Sequence, residues 1–503
     1  MAFESNNFYV AKKGSLPKSE FSLECNITAG ESVSKVLSVS LGVGKISQEV
    51  LSGAVNFSGN VDVKLVYLTG DGQINTVCST CPFSSKFESD SIENGQTAVV
   101  KVKIIDYNIE SIGGESVKIV VNLEQSGCVM ASKEVKTIRS GDDDVCLKNS
   151  DMTIIKYIGS GSEDIEVASE IVVREKITKI LLSESSVIVK SCESGQNFVS
   201  LSGEVSTRVV YLNDNDKFES GYIYDTFKEE IELDGATRES LVECSATVKQ
   251  DGVTCEIVED EKGCKIVVKV PISLSATAFG EDNISVVKDL YSTKCDTKVT
   301  TESFDMTYLC PMDIVEGKIE GSLVLEEDKP RVDKILFSGG NSVTVTNSYM
   351  QDGEIFIEGI AKTTVVYLND EDNALYSAEI DVPFSLSDKF NYPEGGLLSV
   401  DAIVHDVDVT VRKGRELFYD AKVKANVNYC YDKVDGIISD AVSLEDYQAR
   451  DYAMEVVFAH AGDELWDIAK HAKVKEEQVS SQNADVVFPL SEDTSLILFY
   501  QRV

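Results

Sequence analysis

The residues best suited to chemistry by type and spacing are the two cysteines of the run CSTCP at residues 78–82. Two thiols separated by two residues can form a redox pair or supply half of a zinc site. A zinc site needs a second pair of cysteines or histidines at ligand spacing, and the sequence offers no such pair. The thiols are also expected on a strand, without the helix N-terminus that lowers a cysteine pKa. We therefore predict no metal site and no reactive thiol, and we expect most of the twelve cysteines to be small buried side chains.

The run LGVGKIS at residues 41–47 imitates a phosphate-binding loop. A working loop has a glycine five residues before the Gly-Lys pair and a serine or threonine directly after the lysine. Val39 and Ile46 occupy those two positions. The sequence therefore predicts no nucleotide or other cofactor at this run.

Acidic turns and histidines are the remaining candidates for chemistry. The clusters at 213–216 and 369–372 offer oxygen ligands but lack the spacing of a calcium loop, and Asn and Asp are typical turn residues. His405, His460 and His471 stand in different contexts, so no histidine-based triad is readable. His405 is followed by a carboxylate, although a satisfied strand histidine is the simpler interpretation. No spacing singles out a pair of carboxylates for hydrolysis, and we predict that the protein is not an enzyme.

The balance of charge excludes further classes of function. The chain has 85 acidic and 47 basic residues, which gives a net charge of −38. This charge repels phosphate backbones and anionic lipid, so we expect no nucleic-acid partner and no membrane-surface partner. The N-terminus lacks the apolar core of a secretory signal, and no run of 18 apolar residues occurs. We therefore expect a protein that is not inserted in a membrane and that begins in the cytoplasm.

One pattern occurs three times and organises the chain. Its copies are FSGNVDVKLVYLTGDG at 57–72, LSGEVSTRVVYLNDND at 201–216 and IEGIAKTTVVYLNDED at 357–372. In each copy a glycine precedes a tyrosine by eight residues, and a polar turn follows. The residues between them largely alternate and are rich in Val and Thr, which is typical of a half-buried strand. The pattern therefore predicts a strand and a hairpin turn, used three times.

A second motif shows that the repeated unit is as large as a domain. Lys35 and Lys179 each begin a short apolar run 32 residues before the repeat tyrosine, and Lys334 does so 33 residues before it. Successive repeat tyrosines are 144 and 156 residues apart, which is too long for a solenoid repeat. Sustained helical periodicity is missing from all three units. The sequence therefore predicts three tandem, mainly β domains with a sandwich-like or open-barrel architecture.

The last fifty residues have a different pattern of apolar and polar residues. MEVVFA at Met454–Ala459 reads as an apolar strand, and the following residues place an apolar helical face after Asp463, which we expect as the N-cap. A second short helix is predicted at 475–482 and a closing strand at 496–500. We expect the chain to divide into an arm at 1–20, repeats at 21–141, 150–293 and 296–437, a linker at 438–450 and a βααβ domain at 451–503.

The C-terminal domain resembles a LysM domain through GDELWDIA at 462–469, then Val479, Asn483 and the closing strand. LysM domains usually bind N-acetylglucosamine glycans in a groove between the loop after the first strand and the segment before the second. The resemblance assigns that groove to Gly462, Asp463, Glu464, Leu465, Phe488 and Pro489. Glu464 stands where the family usually has Thr, and SEDTS at 491–495 replaces a usual Pro-Gly-Gln turn.

The repeated unit resembles the SPOCS domain of Firmicute spore-coat proteins. The residues that carry this likeness are KPRVDKIL at 329–336, EGIAKTTVVYL at 358–368 and Asp406, so it is clearest in the third unit. Several SPOCS units followed by a LysM domain resemble SipL-type coat morphogenetic proteins. That resemblance implies a non-enzymatic scaffold in the mother cell, at the forespore surface or in the spore coat.

The same resemblance implies that the LysM-like domain docks a spore coat morphogenetic ATPase, while the SPOCS units bind other coat proteins. For this docking we expect a helix face at Trp466, centred on its exposed neighbours Asp467, Lys470 and His471, while Trp466 itself is more typical of a core residue than of a ligand platform. The alternative hypothesis is a peptidoglycan-binding protein of the cell wall or spore cortex, with the glycan in the groove. Self-association of the SPOCS units through sheet edges stays open.

Overall fold

The computed structural model describes residues 3–173, 175–260, 263–369, 371–448 and 450–500. Residues 1–2 of the predicted arm, residue 370 of the second acidic turn and residues 501–503 of the predicted C-terminal domain lie outside them. The structure is 76% strand and 4% helix, with several antiparallel sheets, so the prediction of a mainly β protein is confirmed.

The strands form three successive units. Unit 1 contains β1 (Phe3–Thr28), β2 (Val33–Val43), β3 (Ser47–Leu51), β4 (Ala54–Thr69), β5 (Ile74–Glu88), β6 (Thr97–Gly113) and β7 (Ser116–Gly141). Unit 2 contains β8 (Val145–Val173), β9 (Ile177–Ser194), β10 (Phe198–Asn213), β11 (Phe218–Glu232), β12 (Leu241–Val248), a short 3-10 turn (Gln250–Gly252), β13 (Thr254–Asp260) and β14 (Gly263–Ser292). Unit 3 contains β15 (Cys295–Leu309), β16 (Asp313–Val324), β17 (Lys334–Gln351), β18 (Glu354–Asn369), β19 (Ala374–Lys389), β20 (Leu397–Arg412) and β21 (Glu416–Asp446). A small C-terminal domain follows with β22 (Met454–Ala459), α1 (Leu465–Ala472), α2 (Glu476–Gln482) and β23 (Thr494–Phe499).

Each unit is a pair of antiparallel sheets that share one apolar core. In unit 1, β4 lies between β5 and the pair β2 and β3, while β7 lies between β1 and β6. In unit 2, β10 lies between β9 and β11, and β14 pairs with β8, β12 and β13. In unit 3, β18 lies between β17 and β19, and β21 pairs with β15, β16 and β20. The core of each unit draws buried residues from both of its sheets, as in a β-sandwich.

The threefold sequence pattern forms the central strand of one sheet in every unit. Its tyrosines, Tyr67, Tyr211 and Tyr367, are between 1% and 7% exposed. The alternation of the strand explains this burial, because every second side chain faces the core. The polar residues after each tyrosine form the hairpin turn, where Gly72 and Asp216 adopt positive φ angles of 82° and 52°.

The glycine of the pattern is required by a close approach to the neighbouring strand. Gly203 pairs with Phe227 of β11, and a Cβ atom at Gly203 would lie 2.5 Å from the Phe227 ring and from the Ile188 carbonyl oxygen. Gly359 and Phe384 repeat this arrangement in unit 3, where a Cβ would lie 2.6 Å from the ring. An aromatic ring therefore covers the glycine, which explains a residue that would otherwise weaken a central strand.

The ends of the long strands lie differently from the predicted arm and linkers. β1 pairs with β7 from Phe3↔Gly141 to Thr28↔Ser116, so the described residues of the predicted arm form more than two thirds of a strand. β21 likewise continues to Asp446, through most of the predicted linker at 438–450. These extensions are stable because they bury apolar side chains, such as Phe8 and Ile437, against the other units.

Three apolar clusters join the units to one another. The first contains Leu37, Val66, Leu181, Leu182, Val210, Phe337 and Val366, where β2, β4, β9, β10, β17 and β18 meet. The second includes Phe8, Val10, Met130, Ile154, Phe279, Met306 and Ile437, from the extended strand ends of all three units. The third contains Ile138, Val287, Leu290, Ile438 and Ala441. Because each cluster takes residues from every unit, the units form a closed ring rather than an extended row.

The repeated lysines contribute to this ring. Lys179 of unit 2 donates to the Ile74 carbonyl of unit 1, and Lys35 of unit 1 donates to the Leu375 carbonyl of unit 3, both at 3.2 Å. Between units 2 and 3 the ring is closed by Phe218, which stacks on Phe337 at 5.8 Å between centroids. The sequence motif around the lysine therefore has a structural role at the contacts between units.

Candidate functional sites

The C-terminal domain is a two-stranded antiparallel sheet with two helices on one face. β22 and β23 pair from Met454↔Phe499 to Ala459↔Thr494. Trp466, Ile468, Val479, Leu496 and Leu498 form the buried core between the sheet and the helices, and Tyr291 of β14 joins that core. The domain therefore packs against unit 2 rather than hanging from the ring on a free linker.

The start of α1 differs from the sequence expectation. Asp463 was expected as the N-cap, but Glu464 occupies the N-cap position and makes no capping hydrogen bond with its side chain. The Asp463 carboxylate accepts a hydrogen bond of 2.8 Å from the His460 backbone N–H instead. The reason is the tight turn after β22, in which the positive φ of 95° at Gly462 places Asp463 within the turn.

Part of the helix face predicted to dock a partner contacts unit 2. The Trp466 indole donates to Asp289 at 2.9 Å, and the Lys470 ammonium donates to the same carboxylate at 2.7 Å. The Trp466 ring also lies edge-on to Tyr291, with 4.9 Å between centroids. Burial alone would raise the pKa of Asp289, but the hydrogen bonds from Lys470 and Trp466 outweigh burial and hold it below its ordinary value. Asp289 thus fixes the helix face to β14.

The other two residues of that face, Asp467 and His471, are exposed. The predicted face is therefore divided between an internal contact and an open margin. Of the predicted face, Asp467 and His471 are therefore the residues open to a second protein without loss of the contact to unit 2.

The structure brings the six predicted groove residues to one edge of the C-terminal domain. The Gly462 N–H donates to the Leu490 carbonyl at 2.7 Å, and the Leu490 N–H donates to the Asp463 carbonyl at 3.0 Å. These two bonds hold the loop after β22 beside Phe488 and Pro489. Glu464, at the same edge, forms an ion pair of 2.6 Å with Lys148 of β8.

The outer face of the β22–β23 sheet is a feature that was not predicted from the sequence. Met454, Val456, Phe458, Ile497 and Phe499 point away from the helices and are between 41% and 78% exposed. The sequence did contain a signal for this face, because both strands are apolar at most positions. Strands of this kind are typically covered on both faces. Here one face packs on the helices and the other is open. We call these five residues the outer apolar face.

The His405–Asp406 pair lies between units 2 and 3. The Tyr224 hydroxyl and the Lys422 ammonium both donate to the Asp406 carboxylate, the latter at 2.9 Å. The hydrogen bond from Tyr224, followed by that from Lys422, lowers the pKa of Asp406 to about 2. Burial, followed by the charge of Lys424, lowers the pKa of His405 and keeps the imidazole neutral. The hydrogen bond from Tyr224 joins unit 2 to unit 3, whereas Lys422 belongs to the same unit as Asp406.

The cysteines do not gather into a metal site in the part of the chain that the structure describes, which contains no group of three metal-ligating side chains. Cys78 is exposed and Cys81 is buried on β5, and neither takes part in a disulfide. Cys192 and Cys244 form a disulfide between β9 and β12, which joins the two sheets of unit 2. Within the described residues, no helix is long and apolar enough to cross a membrane.

Part of the chain matches a known family. The family model described as SipL, SPOCS domain matches residues 32–112, which correspond to the stretch from the start of β2 almost to the end of β6. The match lies in unit 1, whereas the sequence analysis found the likeness clearest in unit 3. No curated protein and no solved structure matches the chain. Residues 32–112 are therefore similar to a SPOCS domain, and this similarity suggests a sporulation-related protein.

Proposed function

We propose that this chain is a non-enzymatic scaffold of spore coat assembly. In this proposal all three units are SPOCS domains, and the C-terminal domain is a LysM domain that docks a coat morphogenetic ATPase. The SPOCS match at residues 32–112 supports the sporulation context. The protein would act in the mother cell, at the forespore surface or in the coat.

The outer apolar face is the observation that carries the docking proposal. Five large apolar side chains are exposed on one side of a sheet of only two strands, with Phe458 78% exposed. An apolar patch of this kind is unfavourable in water and typically marks a protein contact. Sugar rings would need polar partners around an aromatic ring, and the only polar side chain on this face is Ser495. The chemistry therefore favours a partner with an apolar surface of its own.

The anchoring of α1 to unit 2 supports the same assignment. Asp289 holds Trp466 and Lys470, so the helices face the ring and the outer apolar face points away from it. A partner bound there would be connected to the three-unit body through a packed interface. Such a connection suits a scaffold that links two layers, and the units would then bind other coat proteins or further copies of the chain.

Co-purification from sporulating cells tests the proposal. The tagged chain should recover the coat ATPase, and truncation after Asp451 should abolish recovery. Phe458→Asp should also abolish it, because a carboxylate on the face would have to be desolvated when the partner binds. Val172→Asp is the matched control, since Val172 is an equally exposed apolar residue, at 80%, on β8. If the Phe458→Asp variant recovers as much ATPase as the Val172→Asp variant, the outer apolar face is not the docking surface.

A second candidate function is peptidoglycan binding. It is favoured by the assembly of Gly462, Asp463, Phe488 and Pro489 at one edge, where a LysM groove is expected. Purified protein should then sediment with peptidoglycan, and soluble N-acetylglucosamine oligomers should release it. Phe488→Ala should reduce this sedimentation, whereas Phe458→Asp should leave it unchanged. If oligomers fail to release the protein, the glycan function is rejected.

A further inference from the structure

A cavity of about 410 Å³ lies where the three units meet. Three of its wall residues, Val99, Glu243 and Ser399, each follow the repeat tyrosine of their unit by 32 residues. Their cross-strand neighbours Cys128, Thr277 and Asn428 also line the cavity. Equivalent strands β6, β12 and β20 therefore face one another around a central space, which we call the central cavity.

Lysines are concentrated in this cavity, although the whole chain carries a net charge of −38. Lys13, Lys101, Lys103 and Lys18 are wall residues of the cavity. Lys18 forms an ion pair of 3.5 Å with Glu124, which is also a wall residue. The cavity is therefore rich in positive charge, unlike the acidic chain as a whole. The contacts of each lysine show how much of this charge is compensated.

Among the described residues, Glu243 and Asp401 form ion pairs with the other three lysines, and Glu124 acts on Lys103 from farther away. Lys13, 8% exposed, forms an ion pair with Glu243. Lys101 contacts the Asp401 carboxylate at 2.5 Å, whereas Lys103 lies 3.6 Å from it and donates to the Val400 carbonyl at 2.6 Å. Lys103 thus shares Asp401 with Lys101 and lies farther from its carboxylate than Lys101 does.

The protonation energetics agree with this geometry. Burial lowers the pKa of Lys103, and Asp401 does not restore it to its ordinary value. For Lys101, burial acts in the same direction, but the closer Asp401 outweighs it and the pKa is raised. An additional anion beside Lys103 would therefore stabilise the charged ammonium.

The remaining wall is apolar and suits an organic body rather than an inorganic ion. Its apolar members are Leu16, Pro17, Val99, Met130, Val345, Leu397, Leu398 and Val400. The volume falls in the range of small-molecule sites, which combine an apolar lining with a few placed polar groups. A second cavity of about 520 Å³ shares Lys101 and Lys103, so the two lysines stand between adjoining spaces.

We propose that the central cavity binds a small organic anion. Its single acidic group would lie against Lys103, and its apolar body would lie against the Leu16, Met130 and Leu398 wall. A ligand held there would contact all three units at once and would therefore stabilise the closed ring.

The first test is titration of the full chain with 8-anilino-1-naphthalenesulfonate, a fluorescent probe with one sulfonate and an apolar ring system. We expect saturable binding of one equivalent. Lys103→Met should weaken the binding about tenfold, the effect of losing one charge-assisted contact. Lys103→Arg should retain binding. Lys86→Met is the matched control, because Lys86 is a 60% exposed lysine on β5 and should have no effect.

Two further measurements separate the cavity from other apolar sites. N-phenyl-1-naphthylamine, the same ring system without the sulfonate, should bind wild type and Lys103→Met equally. Phe458→Asp, which disrupts the outer apolar face, should leave the affinity for the sulfonate probe unchanged. The proposal is overturned if the full chain shows no saturable binding, if Lys103→Met binds the sulfonate as tightly as wild type, or if Phe458→Asp abolishes it.

Discussion

Asp401 offers a direct test of how the ring is held together. Its carboxylate lies between Lys101 and Lys103, at 2.5 and 3.6 Å, and belongs to a different unit from both. Replacing it with Asn would keep the shape of the side chain but remove its charge. Two ammonium groups of unit 1 would then lie side by side at the interface with unit 3 without the carboxylate that compensates them.

The cost can be bounded from the structure. Burial alone would raise the pKa of Asp401, but Lys101 and Lys103 outweigh burial and lower it from 3.8 to about 2. A shift of this size corresponds to at most about 2.5 kcal/mol. Because 37% of the side chain is still reached by solvent, screening reduces this figure, and we expect Asp401→Asn to lower the free energy of unfolding by roughly 1–2 kcal/mol.

The same contact has a defined pH dependence. Since the folded pKa is depressed, the carboxylate contributes its full stability above about pH 4 and loses it as the pH falls toward 2. Wild type should therefore approach the stability of Asp401→Asn across that window, while the two differ most at neutral pH.

Urea unfolding at pH 7 measures the effect as a shift in the transition midpoint. Asp420→Asn is the matched control, because Asp420 forms an exposed ion pair of 2.6 Å with Lys318 and should cost less than about 0.5 kcal/mol. The double variant Lys101→Met with Asp401→Asn should be less destabilised than the sum of its parts. Equal midpoints for Asp401→Asn and Asp420→Asn would refute the reasoning.

Three other contacts give further predictions. Asp289→Ala removes the acceptor of Trp466 and Lys470, so the emission of the single tryptophan should shift to the red and residues 446–454 should be cleaved faster by protease; an unchanged spectrum would contradict the anchoring. Gly203→Ala should destabilise the chain by about 2 kcal/mol or more, because its Cβ would lie 2.5 Å from the Phe227 ring, whereas Gly70→Ala, with nothing closer than 3.8 Å, should have little effect on the melting temperature. Lys179→Met should lose about 1 kcal/mol and speed amide exchange around Ile74, while the exposed Lys334→Met should not; equal exchange in both would show that the lysine is dispensable.

The repeated strands were predictable because their signals are local. Alternating side chains, a glycine and a turn specify β10 without reference to the rest of the chain, and they identify its counterparts in the other units as well. The likeness to SPOCS domains depended on the same residues. A mainly β protein with three copies of one hairpin could therefore be read from the sequence.

The predicted arm is a strand that the local sequence pattern did not predict. Residues 3–20 contain Lys12 and Lys13 between apolar positions, which weakens the strand pattern. In the structure these lysines are compensated by other units, Lys13 by Glu243 and Lys12 by Asp305 and Asp432. The partners lie more than 200 residues away in the chain. A polar segment could thus become a strand for reasons that no local window contains.

The C-terminal domain shows the same limit for the candidate site. The helix face around Trp466 was predicted to be available because nothing near it in the sequence covers it. Its partner Asp289 is 177 residues earlier, at the end of β14. The outer apolar face, in contrast, could have been found by asking what covers the second face of two strands that are mostly apolar.

Lys101, Ser245 and Asp401 stand at the same position of their units, each 34 residues after the repeat tyrosine. In a ring of three identical subunits this position would carry one residue type, and three like charges would face one another. In a single chain the three units can carry different residues at this position, and each residue can complement the neighbouring unit that it contacts. The three units are consequently no longer interchangeable: exchanging unit 1 for a second copy of unit 3 would place two carboxylates where an ion pair now stands. Because the three units are joined in one polypeptide, the contact at this position is no longer symmetric, and each unit has a fixed place in the ring.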